Sequence, residues 1–138
     1  MEGREREVLY YTIESGARPF REWRNAGVPN DDAKAAVDAR IGRFRRGSFG
    51  DSKPIGDGAS ESRIDLGPGY RIYYGIDGEN IILLCEGDKS TQAADIKRAR
   101  EHWANYQERE KERKARLAAA KAQKNAGLQR RPSRRPET

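Results

Sequence analysis

Cys85 is the only cysteine in this chain. With one thiol, no intrachain disulfide and no cysteine-based metal site can form. Cys85 lies in an apolar run and reads as a small buried hydrophobe. Long hydrophobic stretches are also missing, and nothing approaches the roughly 18 apolar residues of a membrane span. The first residues, Met1-Glu2-Gly3-Arg4-Glu5, are polar and carry no apolar segment of a signal peptide. A cytoplasmic protein with no membrane partner is therefore expected. No internal repeat is visible. Beyond Tyr106 large apolar residues nearly vanish, leaving Leu117 and Leu128.

The 138 residues suffice for one small domain and a tail. Hydrophobic residues make up 35% and charged residues 36%, so the core has to be concentrated in a few elements. The formal charge of +6 is unevenly spread. Residues 107–138 hold eleven Lys/Arg against four Asp/Glu, a net of +7, so residues 1–106 carry −1. The basic character belongs to the tail. Anion binding by the folded part must come from local placement of cations. The expected organisation is a folded domain over 1–106 and a basic helical extension with a disordered end over 107–138.

Val8 to Ile13 is rich in β-branched and aromatic residues and reads as a strand. Pro19 opens a short helix carrying Phe20 and Trp23, broken by Gly27 and Pro29. Asn30 or Asp31 caps a second helix. Val37, Ile41 and Phe44 give that helix one apolar stripe, and Gly47 stops it. Arg43, Arg45 and Arg46 suit the negative pole of its dipole. Gly50 to Ala59, with three glycines and Pro54, reads as a loop. Glu61–Leu66, Tyr70–Ile76 and Ile81–Cys85 read as strands, the last lying centrally. Asp77-Gly78 is a hairpin signal. Ser90 or Thr91 caps a final helix with Ile96, Ala99, Trp103 and Tyr106 at apolar spacing. The helical pattern continues in solvated form to Ala126, where Gly127 ends it, and Arg130 to Thr138 is expected to be disordered.

If Gly67-Pro68-Gly69 is a three-residue connection, Asp65 faces Arg71 and Arg63 faces Tyr73 across the strands. One side of the sheet is then apolar beneath helices. The other, open side carries Arg63, Arg71 and Tyr73 beside Ile82 and Leu84. Each cation also has an ordinary reading. Arg71 suits a surface ion pair with Asp65, Arg63 a solvated strand position, Lys89 a site before a helix cap, and Lys53 a loop.

The succession Lys53-Pro54-Ile55-Gly56-Asp57-Gly58, Glu61-Ser62-Arg63-Ile64, Gly67-Pro68-Gly69-Tyr70-Arg71-Ile72-Tyr73 and Gly87-Asp88-Lys89 resembles one group of bacterial toxins. These are the addiction module killer proteins of the RelE/ParE/HigB toxin superfamily, found in type II toxin–antitoxin systems. The likeness runs from about Val8 to Tyr106. It implies a compact α+β fold: a strand, two helices, a three-stranded antiparallel meander and a C-terminal helix. It also implies a cognate antitoxin, in many systems a small helix-turn-helix protein. Two activities occur among such toxins. Some cleave mRNA on the ribosome with neither metal nor other cofactor, and ParE-like ones inhibit DNA gyrase.

Cleavage by a 2′-hydroxyl needs a base, cations to stabilise the pentacovalent oxyanion, and an acid for the leaving oxygen. The resemblance puts Arg71 on the scissile phosphate, Arg63 beside it, and Lys89 at the basic position after the last strand. Lys53 and Tyr73 are the candidate RNA contacts. The chain departs from many active relatives in one respect. Ser90-Thr91-Gln92-Ala93-Ala94-Asp95 holds no Tyr or His for proton transfer, and His102 lies further along the helix. Asp88 and Tyr73 are the substitutes at hand. The two expected functions are therefore a ribosome-dependent mRNA endonuclease and, alternatively, a non-nuclease interaction protein: a gyrase inhibitor or a degenerate toxin that binds an antitoxin.

Overall fold

The computed structural model describes residues 5–133, with side chains through residue 127. Strand β1 (Glu7–Tyr10) is followed by helix α1 (Pro19–Glu22), a π-helical turn (Trp23–Gly27) and helix α2 (Asp31–Arg45). Pro19 sits at the start of α1, where its missing N–H costs nothing. Asn30 is the residue that caps α2, its side chain accepting the Ala33 N–H at 2.9 Å. Val37, Ile41 and Phe44 are all buried, as their spacing requires. Gly47 leaves the helix with φ +81°, a conformation that favours glycine.

Four strands then run antiparallel: β2 (Asp51–Gly56), β3 (Ala59–Ile64), β4 (Tyr70–Asp77) and β5 (Asn80–Gly87). The sheet has the order β1-β5-β4-β3-β2, with β1 parallel to β5. The chain is thus α+β with a five-stranded mixed sheet. The segment read as a loop is mostly strand β2. Pro54 is tolerated there because β2 is an edge, and the pairing is irregular between Pro54 and Gly56. Asp57-Gly58, with φ of 57° and 92°, turns the chain into β3.

Two further corrections concern register. The β3–β4 connection is the five residues Asp65–Gly69, since Ile64 pairs with Tyr70. Arg63 therefore stands opposite Arg71, and Glu61 opposite Tyr73. At the other end Asp77 pairs with Asn80, so the tight loop is Gly78-Glu79. A bulge between β4 and β5 leaves Leu84 as the extra residue between Cys85, opposite Tyr73, and Leu83, opposite Tyr74.

One face of the sheet packs on α1 and α2. Ile64, Ile72, Tyr74, Ile81 and Leu83 join Phe20, Val37, Ile41 and Phe44 in one buried cluster. Fully burying each such aliphatic side chain is worth roughly 1.5–3 kcal/mol. The opposite face is not open, as the sequence led us to expect. Helix α3 (Gln92–Ser133) begins after a 3₁₀ turn (Lys89–Thr91), and its first turns cover much of that face. Trp103 lies against Gly75 so closely that a Cβ there would overlap its ring. Gln92 bonds Glu61. Ile82, Leu84 and Cys85 are consequently buried. The His102 ring lies tilted against that of Tyr11, centroids 4.6 Å apart.

The chain divides into two compact units, Met1–Ala104 and Asn105–Thr138. In the second unit the helix does not stop at Gly127 but continues to Ser133. The expected disorder over 134–138 lies outside the described residues. The side chains of this unit are mostly exposed through residue 126. No helix among the described residues is long and apolar enough to cross a membrane.

Candidate functional site

Pairing across the sheet sets up two rows on the α3 side. The first is Asp51, Arg63, Arg71 and Gly87, contributed in turn by β2, β3, β4 and β5. The second, one pleat along, is Lys53, Glu61, Tyr73 and Cys85. Residues two apart on a strand share a face, so the charge of one row meets that of the next.

The first row ends where β5 turns into α3. Asp88 caps the 3₁₀ turn, accepting the Ser90 N–H at 2.8 Å and the Ser90 hydroxyl at 2.6 Å. These bonds hold the Asp88 carboxyl below its ordinary value. The Lys89 N–H reaches the Pro68 carbonyl at 3.4 Å, which brings Lys89 beside the β3–β4 connection. A polar cleft of ≈ 280 Å³ opens here. Arg63, Arg71 and Lys89 line it together with Asp51, Asp65, Ile64 and Gly69.

The three cations are held very differently. Lys89 is exposed and forms no ion pair among the described residues. Arg63 has a side chain 46% exposed, its Nε 3.4 Å from Asp51 Oδ2. Arg71 is only 6% exposed. Its Nε stands 3.5 Å from Oε2 of Glu61, a carboxylate with no exposure at all. The expected surface pair of Arg71 with Asp65 is thus replaced by a buried pair with Glu61. The same Oε2 accepts the Tyr73 hydroxyl at 3.0 Å and the Gln92 amide at 2.9 Å. The other oxygen, Oε1, has Lys53 Nζ at 3.9 Å and no hydrogen bond.

Of the residues singled out from sequence, Arg63, Arg71 and Lys89 come together at one cleft. Lys53, 55% exposed on the edge strand, stands over Glu61 outside the cleft lining. Tyr73 is fully buried and cannot meet RNA in this arrangement. Burial, followed by the charge of Glu61, pushes its hydroxyl far above the ordinary value. A hydroxyl sealed from solvent in this way is poorly placed to exchange a proton with RNA. Asp88, held ionised by its cap, cannot donate a proton near neutrality. Cys85 is inert, its thiol pushed up to about 12 by burial.

Sequence reasoning overlooked Glu61, Asp51 and Arg40. Glu61 lies two residues before Arg63, and strand alternation alone puts both on one face. Asp51 lay in the segment read as a loop. Arg40 Nη1 donates to the Ser62 hydroxyl and to the Arg63 carbonyl, both at 2.7 Å, and so ties α2 to the backbone under Arg63. No sequence spacing announces a contact between positions 22 or 23 residues apart.

A protein of Haemophilus influenzae, described only as uncharacterized, is 50% identical to the chain over 82 residues, which are 59% of the chain and 82% of that protein. No family model and no solved structure matches the chain.

Proposed function

We propose that this chain, which belongs to one family with the uncharacterized Haemophilus influenzae protein, is the toxin of a type II toxin–antitoxin pair. Its activity is ribosome-dependent cleavage of mRNA, and the resulting arrest of translation is the toxic effect. The carrying observation is the convergence of Arg63, Arg71 and Lys89, from two strands and the turn after a third, on one open cleft. Three cations around a space of this size suit a phosphodiester and the charge that grows on it during in-line attack. Arginine forks offer paired donors to two phosphate oxygens, and lysine adds a mobile point charge.

The proton has to go to a group on the same wall. Asp51 and Asp65 are the carboxylates there, and Asp51 is engaged by Arg63. Asp65 is therefore the acceptor nearest to hand for a 2′-hydroxyl. A fold of the RelE kind, the cognate helix-turn-helix antitoxin and a cytoplasmic site of action belong to this reading. Expression of the wild-type chain should stop protein synthesis and leave codon-associated cuts in transcripts. Arg63→Ala and Lys89→Ala should abolish both while the protein stays folded. Growth arrest with intact transcripts would overturn the reading.

One observation favours a second reading, binding without cleavage. The cleft wall carries neither His nor Tyr, the groups best suited to proton transfer near neutrality. Under that reading the chain acts as a gyrase inhibitor or as a degenerate toxin that retains its antitoxin. Gyrase-dependent DNA breaks on expression would select it.

A further inference from the structure

We infer that Glu61 is a positioning residue that sets the Arg71 guanidinium for anion binding; this rests on the cleft reading above. A fully buried carboxylate is costly, since desolvation penalises each ion before any pairing offsets it. Nothing in packing requires it, because a neutral side chain of similar volume would fill the space. Yet four polar side chains surround it: Tyr73 and Gln92 by hydrogen bonds, Arg71 and Lys53 by charge.

The local electrostatics explain the need. Arg63 and Arg71 are direct cross-strand partners. Like charges so placed repel and destabilise the pair, and each long side chain can swing away. Asp51 restrains Arg63 from the edge strand, but it is exposed and loosely held. Arg71 has a firmer tether. Tyr73 and Gln92 fix Glu61 Oε2 from β4 and from the first turn of α3, and that oxygen faces Arg71 Nε. At 3.5 Å, and with no hydrogen bond from Nε, the pair is a loose contact with room to tighten. An anion pulling the guanidinium from the cleft side is opposed by Glu61 on the other.

Charge alone and positioning predict opposite outcomes. Glu61→Gln keeps the shape and removes one negative charge beside an anion site. Simple electrostatics would strengthen anion binding; loss of positioning weakens it. The test is titration of the full chain with inorganic phosphate, followed by NMR of the arginine Nε–Hε and lysine Nζ groups. In the wild-type chain, phosphate should shift the Arg63, Arg71 and Lys89 signals, and Arg71 Hε should exchange slowly with water. In Glu61→Gln, Arg71 Hε should exchange fast and phosphate should bind about tenfold more weakly, because the charge contact that holds the guanidinium is gone. Tyr73→Phe keeps the charge but removes one of the two hydrogen bonds that fix Oε2, and should weaken binding about threefold in the same direction. It decides the matter if Glu61→Gln does not fold. Folded Glu61→Gln or Tyr73→Phe protein that binds phosphate as tightly as wild type would overturn positioning and leave the cleft reading standing. A wild-type chain whose three cations ignore phosphate would overturn both.

Discussion

At the scale of single residues, the site is a set of charges ranked by how much water reaches them. Lys89 is solvated, Arg63 half so, and Arg71 rests on a carboxylate that water does not reach. Removing Lys89 should therefore cost function without stability. We expect Lys89→Ala to leave the urea midpoint within about 0.5 kcal/mol of wild type, the range of ordinary surface changes, while RNA affinity falls. Glu86 makes the opposite case. Burial raises its carboxyl above the ordinary value, with Arg98 opposing. An acid raised in the folded state is penalised while ionised, so the penalty is present near neutrality and fades as pH falls through the folded-state pKa. Glu86→Gln should stabilise the protein at about pH 7 and lose that advantage by about pH 4. Arg98 keeps Asp95 Oδ1 at 3.1 Å and the Glu86 carbonyl at 2.7 Å, so the substitution does not strand it. Denaturant unfolding at the two pH values checks the sign. Arg63, Arg71 and Lys89 were singled out by the toxin resemblance, and their common placement at one cleft is what the fold adds. The partner of Arg71 was not legible in the sequence. It depended on a register two residues away from the one that the turn Gly67-Pro68-Gly69 implied.

At the scale of elements, local signals and long-range pairing part company. The stripe of α2, its stop at Gly47 and strands β3 to β5 follow from periodicity and turn residues. Asn30 caps α2 through a single hydrogen bond at 2.9 Å, so Asn30→Ala should cost about 1 kcal/mol in thermal or urea unfolding. Strand β2 was hidden by its own composition. Pro54 and the glycines mark a loop in isolation, and only an edge position makes them compatible with a strand. The Asp57-Gly58 turn was the available clue, of the same chemistry as Asp77-Gly78. The cover of the second face by α3 was equally invisible, because Trp103 meets Gly75 across 28 positions of sequence. That contact leaves no room for a methyl group. Gly75→Ala should destabilise by about 1–3 kcal/mol through overpacking, readable as a lowered unfolding midpoint.

At the scale of the whole molecule, charge and fold are divided between two units. Residues 107–138 carry a net +7 and the rest of the chain −1. The near-neutral unit holds the cleft. If the basic unit meets ribosomal RNA, its attraction would not depend on sequence and would be screened by salt. Deleting residues 107–138 should lower affinity for ribosomes and flatten its dependence on salt, with the cleft's chemistry intact. Equal affinity and slope in both forms would show that the extension acts otherwise. The antitoxin, on this account, is a separate chain that has to block the cleft, so adding it should protect Lys89 from amine-modifying reagents.

The most direct measurement is made with purified ribosomes programmed with one defined mRNA, the 5′ ends of the RNA being mapped after addition of the full chain. The account predicts discrete cuts at the codon in the vacant decoding site, lost in Arg63→Ala and in Lys89→Ala. Intact mRNA with the wild-type chain present and bound would contradict it.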